Sequence, residues 1–252
     1  MNSNTPFTPG IAAFFDLDGT LVPEPSLESR FRTSLRRRGA IPFVNDCRSV
    51  VEALRLLPQG IIAVEHSNKR YLTGVCTDAP LQHLESIAFY EEALERVEWH
   101  ARQGHEIVLV SGTLEPLARL AATALECEME ARGVQPKPRV CATRLEERRG
   151  RWTGWLVGQP AYGHGKQRAI AELAREYSLD LGQCHAYGNS LLDRHMLAAV
   201  GHPHVVNPGR ELAAIANQEN WPVWHWFEKR KSSAAVGTRA QEKIQEAEVR
   251  HE

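Results

Sequence analysis

The sequence predicts an α/β fold: a three-layer, Rossmann-like parallel sheet with helices on both faces, interrupted by an inserted helical cap. Short apolar runs alternate with longer segments whose apolar residues repeat at helical spacing. The first run, 11–15, is separated from the next, 106–110, by a stretch that reads as helix. Strands that alternate with helices favour a parallel sheet, because a parallel connection needs a crossover long enough to hold a helix.

Each element has its own signal. Residues 11–15 are continuously apolar and stop at Asp16, Leu17, Asp18, Gly19 and Thr20, which suits a buried strand emptying into a loop. Helices are expected over 26–38, with Phe31 and Leu35 on one face, and over 47–57, with Val50, Val51, Leu54 and Leu57 on one face. The clearest helical pattern is 81–103, where Leu84, Ile87, Ala88, Leu94 and Val97 recur and Gly104 supplies a stop. A strand at 106–110 breaks at Ser111, a helix follows over 114–132, and a strand covers 139–143. Residues 145–157 read as a hairpin turning at Arg149, Gly150 and Arg151. Then come a helix (165–177), a strand (184–187), a helix (191–200) and a last strand (204–206). The expected organisation is a loose N-terminus (1–9), an α/β core (10–22 and 92–228), a helical cap (23–91) and a solvated, charged tail (229–252).

Bulk properties exclude several classes. A chain of 252 residues with 42% apolar and 24% charged residues has the composition of a soluble globular protein with a sizeable core. A formal charge of −1 lacks the basic excess of a dedicated nucleic-acid binder. No apolar run approaches the roughly 18 residues of a membrane span. Cys47, Cys76, Cys127, Cys141 and Cys184 contain no CxxC spacing, and 1–9 lack a signal-peptide pattern, so reduced thiols and a cytoplasmic location are expected.

Parallel sheets gather their sites at the carboxyl ends of strands. Asp16 and Asp18 follow the first strand, Ser111 and Gly112 the second, Lys166 opens a helix, and Asn189 and Asp193 follow a later strand. These are residue types that phosphoryl transfer needs. A calcium-binding EF-hand loop starting at Asp16 fails because its twelfth position is Leu27. A P-loop around Lys166 fails because the earlier glycine position holds Pro160 and the next residue is Gln167. Arg30, Arg32, Arg36, Arg37 and Arg38 read as a solvated helix face, and His202 and His204 as a loop pair without partners. Trp221, Trp224, Trp226 and Phe227 read as anchors of the C-terminal segment on the core.

The four groups resemble, in order and placement, the four motifs of the haloacid dehalogenase superfamily over roughly 10–228, and the run from Phe14 to Leu21 is a strong signature by itself. The insertion after the first motif, with only 54 residues between Ser111 and Lys166, resembles the branch typified by phosphoserine phosphatase. The resemblance implies a phosphatase acting on a small phosphorylated metabolite, and does not indicate an oligomeric state. It implies that Asp16 is a nucleophile forming an aspartyl-phosphate, and that Asp18 is the general acid and base. The superfamily's dehalogenases lack a carboxylate at that position and its ATPase pumps carry threonine, so Asp18 favours a phosphatase or a phosphomutase. Ser111, Gly112 and Lys166 are implied to hold the phosphoryl group. Mg2+ is implied at Asp16, the Asp18 carbonyl, Asn189 and Asp193.

One position departs from the pattern: Asn189 stands where the superfamily usually has a metal-ligating aspartate. A unit charge at about 4 Å is worth about 4 kcal/mol at an effective dielectric near 20, so weaker metal binding is expected. A member that binds a phosphorylated ligand without turnover, and a phosphomutase or phosphotransferase, remain open. Glu24 lies near where the phosphoserine enzymes place a substrate-binding glutamate, but Pro23 and Pro25 give it a different local frame.

Overall fold

The computed structural model describes residues 10–80, 84 and 86–227, and the readings made for 1–9, 81–83, 85 and 229–252 lie outside these residues. Strand β1 (Ala12–Phe15) leads to helices α1 (Leu27–Arg37), α2 (Val44–Leu56) and α3 (Ile61–Ser67), with short 3-10 turns at Leu57–Gln59 and Arg70–Leu72. Then follow α4 (Glu91–Arg102), β2 (Glu106–Leu114), α5 (Glu115–Ala131), β3 (Arg139–Arg148), β4 (Arg151–Val157) and α6 (His164–Tyr177). The described residues end with β5 (His185–Gly188), α7 (Arg194–Leu197), β6 (His202–Val206), α8 (Arg210–Gln218) and β7 (Val223–Trp224).

The strands form one sheet in the order β4-β3-β2-β1-β5-β6-β7, parallel throughout except for the β3–β4 hairpin. Burial on both faces explains why β1 is apolar at every position. Ala13 and Phe15 belong to one core with Leu94, Val97, Leu117 and Leu125, while Ala12 and Phe14 face the other with Ile170, Met196 and Leu212. The sheet therefore presents the loops after β1, β2 and β5 at one end. Among the described residues no helix is long and apolar enough to cross a membrane.

The segment between β1 and β2 is anchored on the β3–β4 hairpin. Helix α1 is capped by Ser26, whose hydroxyl accepts from the Ser29 N–H, and it buries Leu27, Phe31 and Leu35 one turn apart. Phe31 meets Trp152 of β4 edge-on, and the Gly74 and Trp152 amides exchange bonds with the Trp152 and Val75 carbonyls at 2.8 and 3.0 Å. Asn45 is fully buried and donates to the Tyr71 and Thr73 carbonyls, which ties α2 to the segment that bonds to the hairpin. Gly154 sits at φ +79°, and a side chain there would meet the Thr73 hydroxyl and the Arg70 and Lys69 backbone at 2.7–3.1 Å, so only glycine allows this approach.

Several expectations are corrected. Of the helix expected over 81–103, the described residues from 86 onward are helical only from Glu91, because the chain at 86–90 is a return connection: the Tyr90 amide donates to the Leu21 carbonyl, and Leu84 is buried by tertiary contact. Strand β2 runs through Ser111 to Leu114 with an irregular register against β3, and β3 continues to Arg148. The helix expected over 191–200 is a 3-10 turn followed by the single turn α7, and α8 and β7 extend the fold beyond the strand expected to be last. Val50, Val51, Leu54 and Leu57, expected on one face of their helix, are all at least half exposed, beside exposed Phe43 and Ile61. Their spacing describes a face of α2, but buried Asn45 and Leu56 hold the helix from its other side. His202 and His204 lie on β6, with aromatic and imidazole partners. Trp226 is buried and Trp224 packs on the core, as expected of anchors, whereas Phe227 is exposed.

This burial pattern has a direct test. Leu35→Ala is expected to lower the unfolding free energy by about 2–5 kcal/mol through a core cavity, whereas exposed Leu54→Ser changes it by no more than about 0.5 kcal/mol. Urea denaturation of the two variants measures the contrast.

Candidate active site

The turn after β1 is shaped by backbone bonds. The Asp16 amide still pairs with the Tyr187 carbonyl of β5, and the Leu17 carbonyl accepts from Leu21 and Val22, all at 2.9 Å. Gly19, at φ +79°, closes the turn, and a side chain there would lie 2.0 Å from the Asn189 amide nitrogen. The loops after β1 and β5 thus touch through a glycine. The Thr20 hydroxyl donates to Asp16 Oδ2 at 3.2 Å.

Lys166, in the first turn of α6, reaches beneath these loops. Its Nζ donates to Asp16 Oδ1 and, at 2.6 Å, to Asp193 Oδ1. All three groups are buried, Asp193 completely. Burial opposes the charge on Lys166, but Asp16 and Asp193 outweigh it and hold the ammonium above its ordinary range. Burial first, then Asp193, push Asp16 above the usual carboxylate range despite Lys166. The second oxygen of Asp193 accepts from the Asn189 and Ser190 amides and the Ser190 hydroxyl at 2.9–3.1 Å. Asp193 thereby folds the loop after β5 and orients Lys166 at once.

Asp18 points toward the inserted helices, where its Oδ1 accepts from the Leu27 amide at 2.8 Å. Burial raises its carboxyl to about 6, with Glu24 and Glu28 adding to the rise against the Leu27 bond. On β2, Ser111 is buried and accepts from the Thr113 amide at 3.1 Å, while the Gly112 carbonyl is held by the Thr143 hydroxyl at 2.8 Å. The Thr113 hydroxyl is buried and has no hydrogen-bond partner.

Asp16, Asp18, Ser111, Gly112, Lys166 and Asn189 all line one cavity of about 310 Å³. Asp193 lies behind it, with its oxygens engaged as described. Sequence reasoning missed Thr20, Thr113, Glu28, His66 and Tyr162, the last four of which line the same cavity. The threonines were within reach, since each sits inside a motif already singled out. His66 and Tyr162 carry no local signal. They meet only because α3 folds over Gly112, where Ser67 and Tyr162 share a 3.0 Å hydrogen bond. The arginines of α1 turn away from this cavity: Arg36 pairs with Asp46, and Arg32 covers the Tyr71 ring.

The profile of the haloacid dehalogenase-like hydrolase family matches residues 13–198, a span holding every residue of this cavity. The chain belongs to this family. This haloacid dehalogenase-like hydrolase is 32% identical over 232 residues to the "Inhibition of morphological differentiation protein" of Streptomyces azureus, a match covering 85% of this chain and 78% of the relative. It is 31% identical over 241 residues to a Mycobacterium tuberculosis protein named "Probable phosphatase Rv3661", covering 86% and 78%. A substrate-bound phosphoserine phosphatase shares its fold with a TM-score of 0.59 at 17% identity, over 89% of this chain and 96% of that one. The hydrolase is therefore a phosphatase of this family, and it shares its fold with phosphoserine phosphatase.

Asp193→Asn is expected to destabilise the hydrolase by about 3 kcal/mol, because a buried ammonium loses one of its two anionic partners and three donors lose a charged acceptor. Equilibrium unfolding in urea measures the loss.

Proposed function

We propose that this hydrolase removes phosphate from a small phosphomonoester with Mg2+ as cofactor and Asp16 as covalent nucleophile. The observation that carries this reading is Asp16 held against buried Lys166 while Asp18, with its carboxyl raised to about 6, faces the same cavity. An Asp16 oxygen attacks phosphorus, the ester P–O bond breaks, and protonated Asp18 gives its proton to the leaving oxygen. Asp18, now a carboxylate, takes a proton from the water that hydrolyses the aspartyl-phosphate, which releases phosphate and regenerates Asp16. Lys166, Ser111, the Gly112 amide and the unpartnered Thr113 hydroxyl supply positive charge and donors to the transferring group.

The site suits a hard divalent cation. Asp16 and Asp193 share one ammonium and Asp18 faces the same cavity, leaving excess negative charge at the site. Asp16, the Asp18 carbonyl and the Asn189 amide oxygen would hold the ion, which when bound would offset charge on the phosphoryl oxygens. Asp193 would support it at one remove, through the Asn189 and Ser190 amides. The cavity admits a small leaving group, and Glu24, Ser26 and Glu28 at its edge suit one bearing an amine or hydroxyls. Glu28 is already paired with Lys69 and accepts from the Tyr71 hydroxyl, so Glu24 is the acidic group to face an amine. Phosphoserine is the first substrate to try. A second reading, ligand binding without turnover, draws on the uncharged Asn189.

Magnesium-dependent phosphate release from p-nitrophenyl phosphate and phosphoserine separates the two. Wild type is expected to be active and Asp16→Asn inert, with Asn189→Asp reaching half-maximal rate at lower magnesium. A wild type inert at saturating magnesium, with activity appearing in Asn189→Asp, would establish the binding reading instead.

The pH profile follows from Asp18. The acid must carry its proton to serve the first step, so kcat/KM is expected to fall as pH rises through about 6. Asp18→Asn should lower kcat by about 10²–10⁴-fold, measured across the same pH series.

A further inference from the structure

At the end of the sheet opposite Asp16, imidazoles gather. His100 lies in the last turn of α4, His105 immediately precedes β2, His185 opens β5, and His202 and His204 lie on β6. His100 Nδ1 and His105 Nδ1 face one another at 2.9 Å, and His185 Nδ1 is 3.1 Å from His204 Nε2. One ring nitrogen from each of His100, His105 and His185 falls within 4.8 Å of the other two.

We propose that His100, His105 and His185 form a binding site for a first-row transition-metal ion of the Zn2+ or Co2+ type, distinct from the carboxylate site at the other end of the sheet. The ligand atoms decide the class of ion. Magnesium prefers hard oxygens, whereas imidazole nitrogens suit zinc, cobalt, nickel and copper. With metal–nitrogen bonds of about 2.0–2.1 Å, tetrahedral ligands stand about 3.3 Å apart. The His100–His105 pair needs to open by only a few tenths of an ångström, and the partly exposed His105 and His185 rings have room to adjust.

Three further features favour an ion here. His100 Nε2 lies 2.9 Å from the Tyr187 hydroxyl, so an ion on Nδ1 leaves the ring proton on Nε2, donating to Tyr187. That is the outer hydrogen bond that orients metal-bound histidines. Burial and neighbouring histidines hold His100 at about 2 and His185 at about 4, so both are uncharged at neutral pH and retain a lone pair. Access exists as well: His202 is exposed and its ring stacks on His185 at 4.6 Å, leaving it or a water to complete the shell.

The test uses the untagged full chain, stripped of metal and held in excess magnesium so that the carboxylate site is filled. Equilibrium dialysis against Co2+ or Zn2+ is expected to load one ion per chain, with a cobalt visible spectrum of nitrogen ligation and a raised thermal midpoint. His105→Ala with His185→Ala should weaken binding at least about tenfold, and Tyr187→Phe by about 10–100-fold. Asp16→Asn should leave it unchanged. Both altered histidines are partly exposed, and Tyr187→Phe keeps its stacked ring, so one readout survives if the other variant misfolds. Absence of stoichiometric uptake would mean a hydrogen-bonded imidazole ladder that takes no ion. Uptake retained in the histidine variant, or lost in Asp16→Asn, would place the ion elsewhere, and each of these results would overturn the proposal.

Discussion

Lys166 is buried beneath Asp16 and Asp193, and the geometry of the cavity at this end of the sheet follows from that arrangement. An isolated ammonium at this depth would lose its proton or its place, and two carboxylates hold it charged. The same contacts join β1, α6 and the loop after β5, three elements distant in sequence. Asp193 extends the network by gathering the Asn189 and Ser190 amides, and Gly19 lets the Asn189 side chain close over the first loop. A cluster with more acid than base is stable only if solvent, protons or a cation offset the excess. The raised carboxyl of Asp16 reflects its burial first and the neighbouring Asp193 charge second.

The inserted helices close the cavity through contacts with both ends of the chain's core. Asp18 accepts from the first amide of α1, so a carboxyl group lining the cavity is attached to the element that borders it. His66 and Ser67 of α3 meet Tyr162 ahead of Lys166, and the β3–β4 hairpin carries the insert on Trp152. Glu28, Lys69 and Tyr71 form a buried charge-paired network inside the insert, which keeps one wall of the cavity rigid and polar. The exposed apolar residues of α2 lie on the outer surface of this insert and take no part in that wall.

The two ends of the sheet offer opposite chemistry on a common scaffold. Carboxylates, carbonyls and an amide collect where the strands end, whereas uncharged imidazoles collect where β5 and β6 begin. Between them the stacked rings of Phe15 and Tyr187, with His204 against Tyr187, fill the core face of the sheet.

The sequence by itself determined the fold class, the order of most elements and the cavity's principal residues. These are local properties: an apolar run ending in Asp16-x-Asp18, a hydroxyl following the apolar run of β2, and a lysine opening α6. Tertiary structure decided what depends on distant partners. The pattern in α2 describes a real helical face, yet periodicity does not say whether that face meets core or water. The pattern from Leu84 mimics a continuous helix, but the return chain spends its amide at Tyr90 on the Leu21 carbonyl. Asp193 could cap, pair or ligate by its spacing alone; in the fold its oxygens pair with Lys166 and accept from the Asn189 and Ser190 amides. His202 and His204 looked solitary because their partners, His185 and Tyr187, lie on the adjacent strand β5. Spacing along a chain reports which side chains share an element, and only the folded chain reports what they face.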